Sequence, residues 1–154
     1  MGIADIMSKG AVIPSLKVGS KKQLFHELAS RAADEYGLSA RVVIDGLMAR
    51  ERLGATAMGD GVAIPHARVA GLQSIVGVFA RLDRPVDFDA ADGQGVDLVF
   101  MLLAPETSGA EHLRALARVS RLLRASEMRE KLRATAKAPA LYALITEPLA
   151  SRAA

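Results

Sequence analysis

The chain has 154 residues, of which 51% are hydrophobic, 24% charged and only 4% aromatic, so a single aliphatic core can form without covalent staples. It contains no Cys and no Trp, which excludes disulfide scaffolds, thiol catalysis and Cys-ligated zinc and fits a reducing compartment. The net charge is +3, too small an excess to indicate nucleic acid despite a pI near 9.5, and no apolar run approaches the ~20 residues of a membrane span.

The first residues carry Asp5 and no long apolar block behind a basic cluster, unlike a secretory signal. The expectation is one cytoplasmic domain over residues 1–154. Ile3 to Ser8 suits a short helical turn, and Val12-Ile13 an extended segment halted near Pro14. Ser20 is a suitable N-cap for a helix whose Phe25, Leu28, Ala29, Ala32 and Tyr36 recur at helical spacing, closed by Gly37. Ser39 caps a second helix with Val42, Val43, Leu47 and Met48 turned inward, ending near Gly54. Gly54 to Ala67 is glycine-rich, with a strand at Val62–Ile64 that stops at Pro65. Ser74–Leu82 and Val96–Leu103 read as continuous apolar strands of a sheet covered on both faces, with a short edge strand at Pro85–Phe88 between them. A loop at Pro105–Gly109 precedes a helix over Glu111–Arg124 with Leu113, Leu116, Val119 and Leu123 on its apolar face. Ser126 caps a helix over Glu127–Ala134, Pro139–Ile145 forms the last, and the tail from about 148 is expected to fray. This order describes a three-layer α/β domain.

The chain has three histidines. His26 lies off the apolar stripe of its helix and reads as a solvated side chain. His66 follows Pro65 at a strand end behind a glycine-rich loop, where α/β folds place sites. Its imidazole, with an unperturbed pKa of ~6.5, is a nucleophile near neutral pH; the alternative is a turn histidine satisfied by a backbone carbonyl. His112 lies in line with Leu116, Val119 and Leu123, which suits either a packed histidine or a site residue bordering the core. Arg50 and Arg68 frame His66 in sequence. Arg50 suits a phosphoryl oxygen but also complements a helix dipole, and Thr56 is placed to donate a hydroxyl to the same group or to cap a turn. No third ligand accompanies the histidines at metal spacing. There is no G-x-S-x-G elbow, no Walker loop and no G-x-G-x-x-G, so neither hydrolase nor nucleotide chemistry is indicated, and no cofactor or metal is expected.

The block RERLGATAMGDGVAIPH, Arg50 to His66, resembles the active-site segment of enzyme IIA domains of the fructose/mannitol class in the bacterial phosphotransferase system. Arg50-Glu51, Gly54, Thr56, Gly59, Gly61 and the run Val62-Ala63-Ile64-Pro65-His66 match that pattern; Ala55 stands where members often carry Ser. The likeness runs from the helical start through FDAADGQGVDLVFMLLAP to EHLRAL, and SKKQLFHELASRAADEYGLS is similar to the nitrogen-regulatory branch.

The resemblance implies a mixed sheet of about five strands with helices on both faces, and a phosphocarrier. On the family's pattern His66 accepts a phosphoryl group from an HPr-like phosphohistidine protein as a tele-phosphohistidine. His112 hydrogen-bonds its oxygens and Arg50 offsets their charge, with Thr56 and Arg68 as further contacts. Met58 and Ile64 would form a dry rim for docking the donor. The regulated partners implied are of the kind of potassium transporters, sensor kinases or metabolic enzymes, with a weak homodimer also considered and neither nucleic acid nor membrane insertion expected. A sugar-specific carrier handing phosphate to a separate IIB protein is the alternative.

Overall fold

Serine caps start the first two long helices, as their sequences require. In the computed structural model, which describes residues 2–147, Ser20 accepts from the Gln23 amide and opens α1 (Lys21–Tyr36), and Gly37 closes it at φ 69°. Ser39 accepts from the Val42 amide and opens α2 (Ala40–Arg52). The buried stripe of α2 runs through Val43 and Leu47, one turn apart. Val42, expected to face inward, falls to one side of that stripe and is 46% exposed.

Short 3-10 turns at Ile3–Asp5 and Lys9–Ala11 lead into β1 (Val12–Leu16). The strand was expected to halt near Pro14 but continues through it. It pairs on one side only, parallel to β5 (Val76–Val86), and an edge strand tolerates a residue without an N–H. β5 runs antiparallel to β6 (Val96–Pro105), ending with Val86 opposite Val96. The edge strand expected at Pro85–Phe88 is therefore not a separate one: Pro85 and Val86 end β5 inside the sheet, and Asp87 and Phe88 lie beyond it.

The other side of β6 receives two short parallel strands. β3 (Val62–Ala63) lies beside Leu98 and Val99, and β4 (His66–Val69) beside Leu102 to Pro105. Ile64 and Pro65 interrupt what is otherwise one ribbon. A further strand, β2 (Ala57–Gly59), pairs antiparallel with β3; the glycine-rich sequence had suggested only loop there. The sheet order is β1-β5-β6-β3-β2 with β4 also on β6, six strands, or five ribbons when β3 and β4 are counted as one broken strand.

α1 and α2 pack on each other and against β5 and β4, while α3 (Ala110–Arg124), α4 (Ser126–Ala134) and α5 (Ala138–Thr146) form the other helical layer, on β6 and β1. The three-layer mixed α/β architecture is thus as the sequence indicated. Between the layers sit Phe79, Phe100, Leu98, Leu102 and Leu103, all fully buried. On α3 the inward face is His112, Ala115, Val119, Leu122 and Leu123. Leu113 was expected there but is 68% exposed, because the helix is rotated so that His112 takes the inward position. Ser126 is the first residue of α4, not its cap; Ala125 holds the cap position with no side-chain bond. The fraying expected from about 148 lies outside the described residues. Among the described residues no helix is long and apolar enough to cross a membrane.

Candidate active site

The site begins at the hairpin joining β2 to β3. Gly59, Asp60 and Gly61 all adopt positive φ, at 90°, 56° and 79°, a tight reversal that explains the paired glycines. The Asp60 amide donates to the Asp92 carboxylate at 3.0 Å, and Arg133 donates to both the Asp60 carbonyl and the Asp97 carboxylate. The turn is thereby pinned from two sides. The return strand then breaks at Ile64-Pro65. The Ile64 amide donates to the Thr56 carbonyl at 3.1 Å, and the Pro65 carbonyl accepts from the Leu102 amide at 2.9 Å.

His66 opens β4 directly after this break. It was expected to follow the end of a strand; it stands instead at the start of a second strand segment on the same neighbour. Its Nδ1 lies 2.8 Å from the Ile64 carbonyl. A carbonyl only accepts, so Nδ1 carries the proton and Nε2 keeps its lone pair. Arg50, in the last turn of α2, donates from Nε to His66 Nε2 at 3.3 Å and from Nη1 to the Gly54 carbonyl at 2.9 Å. Burial lowers the His66 pKa from the ordinary imidazole value; the Ile64 hydrogen bond opposes this, Arg50 lowers it further and Glu51 raises it. The ring is thus held neutral and nucleophilic near neutral pH.

His112 comes from the first turn of α3 and meets His66 edge-to-face, with ring centroids 5.7 Å apart at an interplanar angle of 77°. It is 7% exposed, and its Nε2 is buried with no hydrogen-bond partner among the described residues. An unpartnered buried ring nitrogen costs about 1–3 kcal/mol. Burial lowers the His112 pKa, with His66 and Arg68 adding to the effect. Arg68 is exposed, two residues beyond His66 on β4 and so on the same face of that strand.

A shallow cleft of about 360 Å³ opens beside these groups, lined by Arg50, Thr56, Met58, Ile64 and His66, with Leu116 and Ser120 from α3. The structure thus brings Arg50, Thr56, His66 and His112 together, with Arg68 near His112. Thr56 is 7% exposed, and its hydroxyl donates to Glu51 Oε1 at 2.7 Å rather than into the cleft. Met58 is 38% exposed at the rim, whereas Ile64 is 4% exposed and forms floor rather than rim. His26 is exposed on α1 and does not line the cleft. Among the described residues no group of three His, Asp or Glu side chains is placed to hold a metal ion.

Sequence reading passed over two side chains that support the site. Glu51, only 7% exposed at its side chain, accepts from the Thr56 amide, the Thr56 hydroxyl and Lys21 Nζ. Its place beside Arg50 in the motif was the available signal. Lys21 lies 30 residues earlier on α1 and carried none.

Comparisons with known proteins bear on the family and the fold. Residues 5–147 match the family described as phosphoenolpyruvate-dependent sugar phosphotransferase system, EIIA 2. A nitrogen regulatory protein of Bradyrhizobium diazoefficiens is 53% identical over 99% of this chain and 100% of its own length. The crystal structure of nitrogen regulatory protein IIA-Ntr from Neisseria meningitidis superposes with a TM-score of 0.88 at 40% identity, covering 94% of this chain and 99% of that one. IIA mannitol from Escherichia coli shares the fold, with a TM-score of 0.76 at 18% identity over 90% of this chain and 98% of its own.

Proposed function

The chain belongs to the phosphoenolpyruvate-dependent sugar phosphotransferase system EIIA 2 family, and we propose from this that His66 is its phosphoacceptor, charged by an HPr-like phosphohistidine protein. The observation that carries the reading is the bond from His66 Nδ1 to the Ile64 carbonyl, because it leaves Nε2 as the attacking atom. In the transfer the donor's N–P bond breaks as the bond from phosphorus to His66 Nε2 forms. The donor imidazole departs with the electron pair, and the proton stays on His66 Nδ1, hydrogen-bonded to the Ile64 carbonyl. The product is a tele-phosphohistidine whose ring charge is balanced by the phosphoryl group.

Arg50 now occupies the lone pair of Nε2. It must move off as the phosphorus arrives, and its guanidinium then meets the phosphoryl oxygens, where its charge stabilises the transfer. His112 Nε2, buried beside His66 with no partner among the described residues, supplies a further donor. Arg68 contributes positive potential from the exposed side, and Thr56 is held by Glu51. Met58, exposed and lining the cleft, gives its mouth an apolar rim suited to a protein donor.

We further propose a regulatory role for the phosphorylation state, with partners of the kind of potassium transporters, sensor kinases or metabolic enzymes. Whole-length similarity to proteins named nitrogen regulatory favours this over sugar-specific transfer to a IIB protein. Incubation with phosphoenolpyruvate, enzyme I and the HPr-like carrier should add one acid-labile phosphoryl group, mapped to His66 by mass spectrometry under neutral conditions. Uptake at the wild-type rate by His66→Ala would overturn the assignment.

A further inference from the structure

The tautomer of His66 depends on where the Ile64 carbonyl points, and that carbonyl lies at the end of a chain of hydrogen bonds. Lys21 Nζ donates from α1 to Glu51 Oε2 at 3.0 Å. Glu51 accepts from the Thr56 amide at 3.0 Å and from the Thr56 hydroxyl at 2.7 Å. The Thr56 carbonyl accepts from the Ile64 amide, and the Ile64 carbonyl accepts from His66 Nδ1. Every link crosses from one segment of chain to another or closes a turn, so the reactive ring is referenced to α1 and α2 through one carboxylate.

We propose that Glu51 is a positioning residue for His66, acting through Thr56 and the Ile64 carbonyl to hold the ring in the orientation and tautomer that leave Nε2 unprotonated. A carboxylate suits this place for a chemical reason. All three of its partners donate, and an ionised carboxylate accepts only, on two oxygens. A glutamine offers one accepting oxygen and turns N–H groups toward Thr56 or the ammonium. Lys21 in turn neutralises the buried charge, and is itself fixed by the Phe88 carbonyl at 3.3 Å and the Phe88 ring at 4.7 Å. The kinetic consequence rests on the phosphoacceptor reading; the tautomer does not.

The test uses the full chain labelled with ¹⁵N-histidine and not phosphorylated. Long-range ¹H–¹⁵N spectra, taken at a pH where the ring is neutral and assigned with His66→Ala, report which nitrogen of His66 holds the proton. Wild type should show Nδ1–H alone. Glu51→Gln and Thr56→Val should each show a mixture, and Thr56→Ser, which keeps the hydroxyl, should restore Nδ1–H. Transfer from the HPr-like donor should fall roughly tenfold in Glu51→Gln and in Thr56→Val, the scale of one hydrogen bond to a charged group. Because both act in one chain, the double variant should be no slower than the slower single variant within about twofold.

A single Nδ1–H tautomer with wild-type transfer in either variant would overturn the proposal and leave Glu51 as a tie between helices. Multiplied losses in the double variant would also overturn it, placing Thr56 on the phosphoryl group independently. Should Glu51→Gln not fold, Thr56→Val and Thr56→Ser decide the matter. A wild-type protein that takes up no phosphoryl group would refute the acceptor reading, while the spectra still decide this one.

Discussion

His112→Leu is expected to stabilise the unmodified protein and slow phosphoryl transfer, two effects of opposite sign from one atom. His112 is 7% exposed and its Nε2 has no partner among the described residues. Replacing that nitrogen with an apolar group of similar size removes a desolvation penalty of about 1–3 kcal/mol. Loss of the edge-to-face contact with His66 returns about 0.5–1.5 kcal/mol of that. The net expectation is a gain of about 1 kcal/mol, or roughly 2–4 °C in Tm for a chain of this size. On the proposed acceptor reading the same nitrogen is a charge-assisted donor to the phosphoryl group, and its loss should slow transfer roughly 10- to 100-fold, from about 1.5–3 kcal/mol. Thermal denaturation of the bare protein and rapid-quench transfer from the charged HPr-like carrier measure the two effects. A variant that melts lower than wild type and accepts phosphate at the wild-type rate would refute the reasoning, showing His112 to be ordinary packing.

Arg50→Lys keeps the charge but loses the Nε–H that meets His66 and the planar fork; transfer should slow roughly tenfold, and an unchanged rate would reduce Arg50 to a tether for the Gly54 carbonyl. The pKa values of His66 and His112 are both lowered in the folded chain, chiefly by burial, so the unfolded chain binds more protons below the ordinary imidazole value of ~6.5. The stability held by these two rings is therefore fully present above that pH and is lost as the pH falls toward their folded values. Urea titrations from pH 8 to 5, compared with a variant lacking both imidazoles, should show the steeper acid loss in wild type. By the same displacement, phosphoryl acceptance should hold its rate down through pH 6.5 and fall only below it; a decline already complete at that pH would contradict the neutral, buried ring. Gly77→Ala places a Cβ 2.8 Å from Phe100 Cζ, and overpacking there should cost about 1–3 kcal/mol in chemical denaturation without altering His66.

How much of this was legible depended on the reach of each signal. Caps and helical spacing are local, and Ser20, Gly37 and Ser39 mark their helices where the structure places them. The rotation of a helix is less so, since a stripe one residue wide of the true one fits the same pattern; Val42 and Leu113 were misread for that reason. Pro14 looked like a stop because edge pairing cannot be seen in sequence. β2 is three residues long, too short for alternation to register against its glycines. Arg50, Thr56 and His66, which the structure brings together, stand in one contiguous block of sequence, whereas His112 reaches them only through the packing of α3. Lys21 was invisible because its role is defined only by a neighbour brought from α2.

The interruption at Ile64-Pro65 has a bearing on regiochemistry. Gly61 and Pro65 turn their carbonyls to β6, whereas the Ile64 amide turns the other way, to the Thr56 carbonyl, and the Ile64 carbonyl is left to the His66 ring. On the proposed acceptor reading, that one oxygen selects a single isomer of the N-phosphorylated ring. A relative whose backbone denies the ring this acceptor should yield both isomers, differing in their resistance to hydrolysis.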